Sequence, residues 1–155
     1  MVIPRHLPVL LVGLALLCGG IVAAKTLIPG GGRLAAPEAH AMATRGEIRI
    51  LDVRAEREWR ETGLPEGAVG ASIHHPGGRD GFVAAALAAV DGDRDRAVAT
   101  IATTGVRSTR AQAWLIEAGF TRVYNVKEGM FGRYDETGAE PGWLNRGLPV
   151  DGYPK

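Results

Sequence analysis

The stretch Ala102-Thr103-Thr104-Gly105-Val106-Arg107-Ser108 gathers the residue types that hold an anion. Gly105 reaches backbone torsions closed to other residues, so successive N–H groups can point inward, and a helix that follows adds the positive end of its dipole. Arg107 stands at the start of that helix, and Ser108 or Thr109 can cap it by accepting an N–H bond. A Gly-x-Arg-Ser turn between a strand and a helix is often only a cap, because short motifs of this kind are weakly specific. Its place at the carboxyl end of a central-looking strand, where open α/β sheets put their sites, favours function. Thr103 and Thr104 offer hydroxyls, but no base stands beside them in the loop, so hydroxyl-based catalysis is not expected.

Other side chains carry weaker chemistry. His74 and His75 are neighbours in an extended segment, so they point to opposite faces, and no third metal ligand accompanies them. Glu58, Glu61 and Glu66 alternate with Arg57 and Arg60, which reads as a solvated helical face and not as a catalytic carboxylate pair. Asp91, Asp93 and Asp95 alternate as in some calcium loops, but Arg96 stands where Gly is needed and Ala102 where the closing Glu belongs. No cofactor and no metal site is expected. Asp52 and Arg54, at the end of a strand, form a charge pair that either orients the anion loop or ties neighbouring elements together.

The elements that must position the loop alternate in type. Strand-like runs lie at 48–53, 68–73, 97–102 and 122–126, and helical runs at 55–61, 82–90 and 108–119. A helical segment between each pair of strands argues for a parallel, helix-covered α/β sheet with ligands at the carboxyl ends of its strands. The 108–119 helix carries Ala111, Trp114, Leu115 and Ala118 on one apolar stripe, and Gly119 ends it. Trp114 is assigned to packing, since an aromatic at core spacing is usually core. Pro37 and Glu38 suit a helix's first turn, with Gly46 as its stop. Pro29 and Gly30 to Gly32 make residues 25–36 read as a flexible linker, so that the folded domain covers 37–155.

Residues 7–24, LPVLLVGLALLCGGIVAA, hold no charge and follow Arg5. Eighteen residues give about 27 Å of helix, short for a span, so a membrane anchor and a signal peptide cleaved after Ala24 both fit, and the domain is expected to be exported and periplasmic or otherwise extracytoplasmic. Cys18 lies within this run, where it behaves as a small hydrophobe with a protonated thiol; Leu17 before it argues against a lipidated cysteine. As the chain's single cysteine, it also excludes a disulfide framework or a multi-cysteine metal site.

The 155 residues are 46% hydrophobic and 23% charged, which fits one globular domain. Eighteen Lys and Arg against 17 Asp and Glu, interleaved, leave no electrostatic footprint for nucleic acid.

Taken in order, several segments resemble the rhodanese-like domain family over roughly residues 37–150. They are Leu51-Asp52-Val53-Arg54 with Glu58-Trp59, the GLPEGA segment at Gly63 to Ala68, GFTRVYN at Gly119 to Asn125, Glu128-Gly129-Met130, and GWLNRGLP at Gly142 to Pro149. The resemblance implies an α/β fold, a rhodanese-like parallel sheet flanked by helices, here preceded by a hydrophobic N-terminal helix. It leans toward a structural role for Asp52 and Arg54. Family members that transfer sulfur use a loop of pattern Cys-x-x-Gly-x-Arg, which begins with the nucleophile. In this chain the matching residues run from Ala102 to Arg107, so the nucleophile position is Ala102. Sulfur transfer needs a thiolate to attack a sulfane sulfur and carry it as a persulfide, and a methyl group does neither. The expectation is therefore a domain without cysteine-dependent sulfurtransferase activity. It would bind a small sulfur oxyanion, or a partner protein, through Thr103 to Ser108; the alternative is a thiosulfate-type sulfurtransferase that works with a thiol supplied by a partner.

Overall fold

A computed structural model describes residues 30–136 and 138–154. The apolar run at 7–24, with Cys18 and the expected anchor or signal peptide, lies outside the described residues. Among those described, no helix is long and apolar enough to cross a membrane.

The chain runs β1 (Gly32–Leu34), α1 (Ala36–Thr44), β2 (Arg49–Asp52), α2 (Glu56–Thr62), β3 (Leu64–Pro65), β4 (Val69–Gly70), α3 (Gly78–Ala88), β5 (Val98–Ile101), α4 (Val106–Glu117) and β6 (Val123–Val126). It closes with the hairpin β7 (Gly132–Asp135) and β8 (Gly138–Pro141), a 3₁₀ turn at Leu144–Arg146, and β9 (Val150–Asp151), which pairs antiparallel with β3. Five strands form one parallel sheet in the order β1-β6-β5-β2-β4, with β5 at its centre.

The period-two alternation of a strand divides the core between the two faces of this sheet. Ala97, Ala99 and Ile101 face Ala36, Ala39 and Met42 around α1, together with Trp143. Val98 and Ala102 face the other way, toward Phe82 and Ala86 of α3 and Ala111 and Leu115 of α4. Both faces being covered explains why every residue of β5 and β6 is buried. Trp114 joins this second layer partly buried, its ring 6.0 Å from that of Phe82.

The structure corrects three boundaries. Residues 32–36 are not a linker: Gly32 to Leu34 pair in register with Tyr124 to Val126, and Ala36 opens α1. Gly31 serves close approach, since a Cβ there would run into the Val123 backbone. Gln112 secures the added strand by donating to the Gly32 and Val123 carbonyls, at 3.1 and 2.8 Å. The strand expected over 68–73 is paired only at Val69 and Gly70, although Ala71 and Ile73 still donate to Asp52 and Val53. The helix expected over 82–90 begins four residues earlier, at Gly78, so Phe82 lies on its second turn.

Candidate functional site

Strand β5 ends at Ile101, and the chain turns through residues 102–105 into α4. Gly105 makes the turn possible. It stands at the N-cap of α4 with φ +90° and ψ −11°, and a Cβ there would collide with the Lys127 carbonyl oxygen. The Ser108 and Thr109 hydroxyls both donate back to the Gly105 carbonyl, at 3.0 and 2.8 Å, so neither caps the helix in the way the sequence suggested. Below the loop, the buried Thr100 hydroxyl reaches the Ser108 carbonyl at 2.9 Å. Beside it, the Met130 and Phe131 amides donate to the carbonyls of Ala102 and Thr103, at 2.8 and 3.0 Å. The carbonyls of Ala102, Thr103 and Gly105 are thus engaged. Among the described residues, none of the N–H groups from Thr103 to Ser108 has an acceptor elsewhere in the chain.

A loop whose N–H donors are unspent and most of whose carbonyls are occupied is matched to negative charge. Gly105→Ala is expected to cost about 1–3 kcal/mol for a strained αL residue, and more if the Lys127 carbonyl has to move. Thermal unfolding of the variant checks this.

The structure gives Arg107 a partner that the sequence reading missed. Glu58, taken above as part of a solvated face, is only 18% exposed and reaches from α2 to the loop. Its Oε1 accepts from Thr103 Oγ1 at 2.8 Å and from Arg107 Nη2 at 2.7 Å, and its Oε2 from Arg107 Nη1 at 2.7 Å and the Ala55 amide at 3.0 Å. Arg107 also contacts the Thr103 hydroxyl. Four donors use the bonding capacity of one carboxylate. The Arg107 guanidinium foremost, then the Ala55 amide and the Thr103 hydroxyl, hold Glu58 well below the usual carboxylate range, at about 2, against the opposing effect of burial. Arg107 is raised in turn, chiefly by its hydrogen bonds to Glu58. Its charge is therefore balanced within the protein, and what the loop offers a ligand is chiefly N–H groups.

Glu58 sits at the third position of α2, where a carboxylate can also cap the helix start. That spacing from Ala55 was visible in the chain; the link across 49 residues to Arg107 was not. Glu61 and Glu66 remain exposed, Glu66 pairing with His40 at 3.1 Å. His74 and His75 lie in an exposed loop, where His75 Nδ1 accepts from the Gly77 amide at 3.0 Å. No cluster of metal-ligating side chains occurs among the described residues.

Ala102 is wholly buried in the α3 and α4 layer, its methyl inside the apolar cluster. Asp52 and Arg54 are likewise 0% exposed, and their side-chain hydrogen bonds go elsewhere than the loop, although the Asp52 charge helps to raise Arg107. Arg54 grips both oxygens of Asp52 and also donates to Thr62 Oγ1 and the Gly63 carbonyl, each at 2.8 Å. The pair thus fastens the end of β2 to the end of α2, the helix that delivers Glu58.

Known proteins agree with this architecture. The family model described as a rhodanese-like domain matches residues 35–135. A tRNA uridine(34) hydroxylase of Nitrobacter hamburgensis is 32% identical over 99 residues, 64% of this chain; the chain spans about a third, 34%, of that relative's length. Among solved structures, the M. tuberculosis protein Rv0390 superposes with a TM-score of 0.60 at 30% identity, over 78% of this chain and 97% of that one. A thiosulfate sulfurtransferase of Pseudomonas aeruginosa gives a TM-score of 0.58 at 22% identity, over 79% of this chain and 20% of that one, a likeness of fold. With four of the five strands of its parallel sheet, its loop after β5 and most of its length inside that match, this chain belongs to the rhodanese-like domain family.

Proposed function

We propose that this domain binds without reacting: it holds a small oxyanion of the thiosulfate or sulfate class on the N–H groups of Thr103 to Ser108 and transfers no sulfur through a residue of its own. The observation that carries the reading is the run of unspent donors around a left-handed Gly105, next to a buried methyl at the nucleophile position. Arg107 acts here through the Glu58 pair, which fixes the loop's shape, and adds little net charge. The competing reading, sulfur transfer with a thiol borrowed from a partner, has no residue in its favour beyond the fold. The uncharged run at 7–24 supports export of the domain, tethered by a hydrophobic helix or released after Ala24.

Calorimetric titration of the purified chain with thiosulfate and sulfate is the test, and saturable binding is the expected result. Glu58→Gln removes the nearest carboxylate and frees Arg107, so the variant is expected to bind either anion about tenfold more tightly, in line with one charge-assisted hydrogen bond. Acidification from pH 7 to pH 4 will not mimic the substitution, because a carboxyl held at about 2 stays ionised over that range. Flat titrations for both forms would remove the anion reading. Thiosulfate-to-cyanide turnover by the unmodified chain alone would remove the non-catalytic one.

A further inference from the structure

The large apolar side chains left at the surface are not scattered. Five are exposed among the described residues, and three of them, Val106, Phe131 and Tyr134, line one depression of about 580 Å³ beside the start of α4. Isolated apolar residues on a surface need no explanation, but a contiguous group of them marks a contact. Folding gains little from the two most exposed. Tyr134 is 89% exposed on β7, in a hairpin whose two strands pair only with each other, and Val106 is 73% exposed on the first turn of α4.

The charges around the depression differ in what they can still do. Lys127 already meets Glu140 at 2.6 Å, and Arg133 has a partner of its own. Arg33 is unspent. Its neighbour Leu34 enters the core on the α1 side of the sheet, so Arg33 projects to the α4 side, where it lines the depression and, among the described residues, forms no hydrogen bond or ion pair. Arg110 stands one turn after Val106 on the same side of α4, exposed and likewise without a partner among the described residues. No carboxylate among those residues lines the depression.

An apolar hollow flanked by two unspent guanidinium groups is complementary to a polypeptide that carries carboxylates around an apolar side chain. Tyrosine and arginine are also the residue types that carry most energy at protein contacts. A side chain can enter a hollow, and a flat lipid surface supplies none. We propose that the depression between α4 and the β7–β8 hairpin docks an acidic segment of a partner protein. One apolar side chain enters among Val106, Phe131 and Tyr134, and carboxylates on either side of it meet Arg33 and Arg110. The surface does not rest on the oxyanion reading of the loop, because it uses neither Glu58 nor Arg107 and takes no N–H group from residues 103–108.

Selection of a random-peptide display library on the immobilised full chain tests the proposal. The enriched peptides are expected to share Asp or Glu on both sides of an aromatic residue or Leu, and a synthetic peptide of that consensus should bind in solution, less tightly as salt rises. Tyr134→Ser and Arg33→Glu, both exposed changes, should each weaken the peptide at least about tenfold, as for contacts that carry binding energy, while thiosulfate binding stays within about twofold. No enrichment, a basic or uncharged consensus, or a peptide indifferent to either variant would overturn the proposal. So would sedimentation showing that a second copy of the chain covers this face, or phosphatidylglycerol vesicles binding in place of the peptide. Absence of thiosulfate binding in the unmodified chain would overturn only the loop reading.

Discussion

Ala102→Cys is expected to give the chain thiosulfate-to-cyanide sulfurtransferase activity, about 10²–10⁴-fold above the uncatalysed background at which the unmodified protein stays. The thiolate would attack the sulfane sulfur of thiosulfate, the sulfur–sulfur bond would break, and sulfite would leave with the electron pair. Cyanide would then take the outer sulfur of the persulfide as thiocyanate and release the thiolate. The argument for a gain is geometric: the loop keeps its glycine, its unspent N–H donors and its helix start, all of which favour a thiolate over a thiol. The argument for a partial gain is energetic. A covalent nucleophile and its partners are worth on the order of 10⁶ in rate elsewhere. Here the position is fully buried, which raises a thiol's pKa, and the charge of Arg107 is already spent on Glu58. Mass spectrometry of the thiosulfate-treated variant should place a 32 Da adduct on the peptide containing residue 102 and none on Cys18. A folded variant that stays silent and resists alkylation would show that the loop has closed over the position.

Much of the fold was legible because β2, β5 and β6 are short, largely apolar runs separated by helical segments. The reading failed where one residue type serves two physical ends. The glycines at 30–32 suggested a tether, yet Gly31 lies against Val123 and Gly32 opens a strand of the sheet, because a residue without Cβ also permits close backbone approach. The candidate site was legible as a local motif, Gly105 and Arg107 above all. Its electrostatics were not, because they depend on a contact with Glu58 that only the packing of α2 against the loop creates. A charge-rich stretch of Glu and Arg does not reveal which carboxylate turns inward.

Removing Arg54 is expected to cause the largest loss of stability of any single change near the site. Arg54→Met keeps much of the side chain's length and deletes five hydrogen bonds: three to the Asp52 carboxylate, one to Thr62 and one to the Gly63 carbonyl. Among the described residues, Asp52 would then remain a buried charge with one other donor, the residue 54 amide at 3.0 Å. Breaking a buried pair from one side costs about 3–5 kcal/mol, which for a domain of this size lowers Tm by roughly 10–20 °C. The double variant Asp52→Leu with Arg54→Met removes both charges and should recover part of that loss, since the pair's main penalty is an uncompensated charge and not a missing attraction. The same comparison separates stability from function. Arg54 holds the end of α2 but donates to no loop residue, so the double variant should stay folded with Glu58 still on Arg107 and bind thiosulfate as the unmodified chain does. Thermal melts and thiosulfate titrations on the two variants read these outcomes independently. A double variant that melts as low as Arg54→Met would mean that the hydrogen bonds to Thr62 and Gly63, and not the buried charge, hold this corner of the domain together.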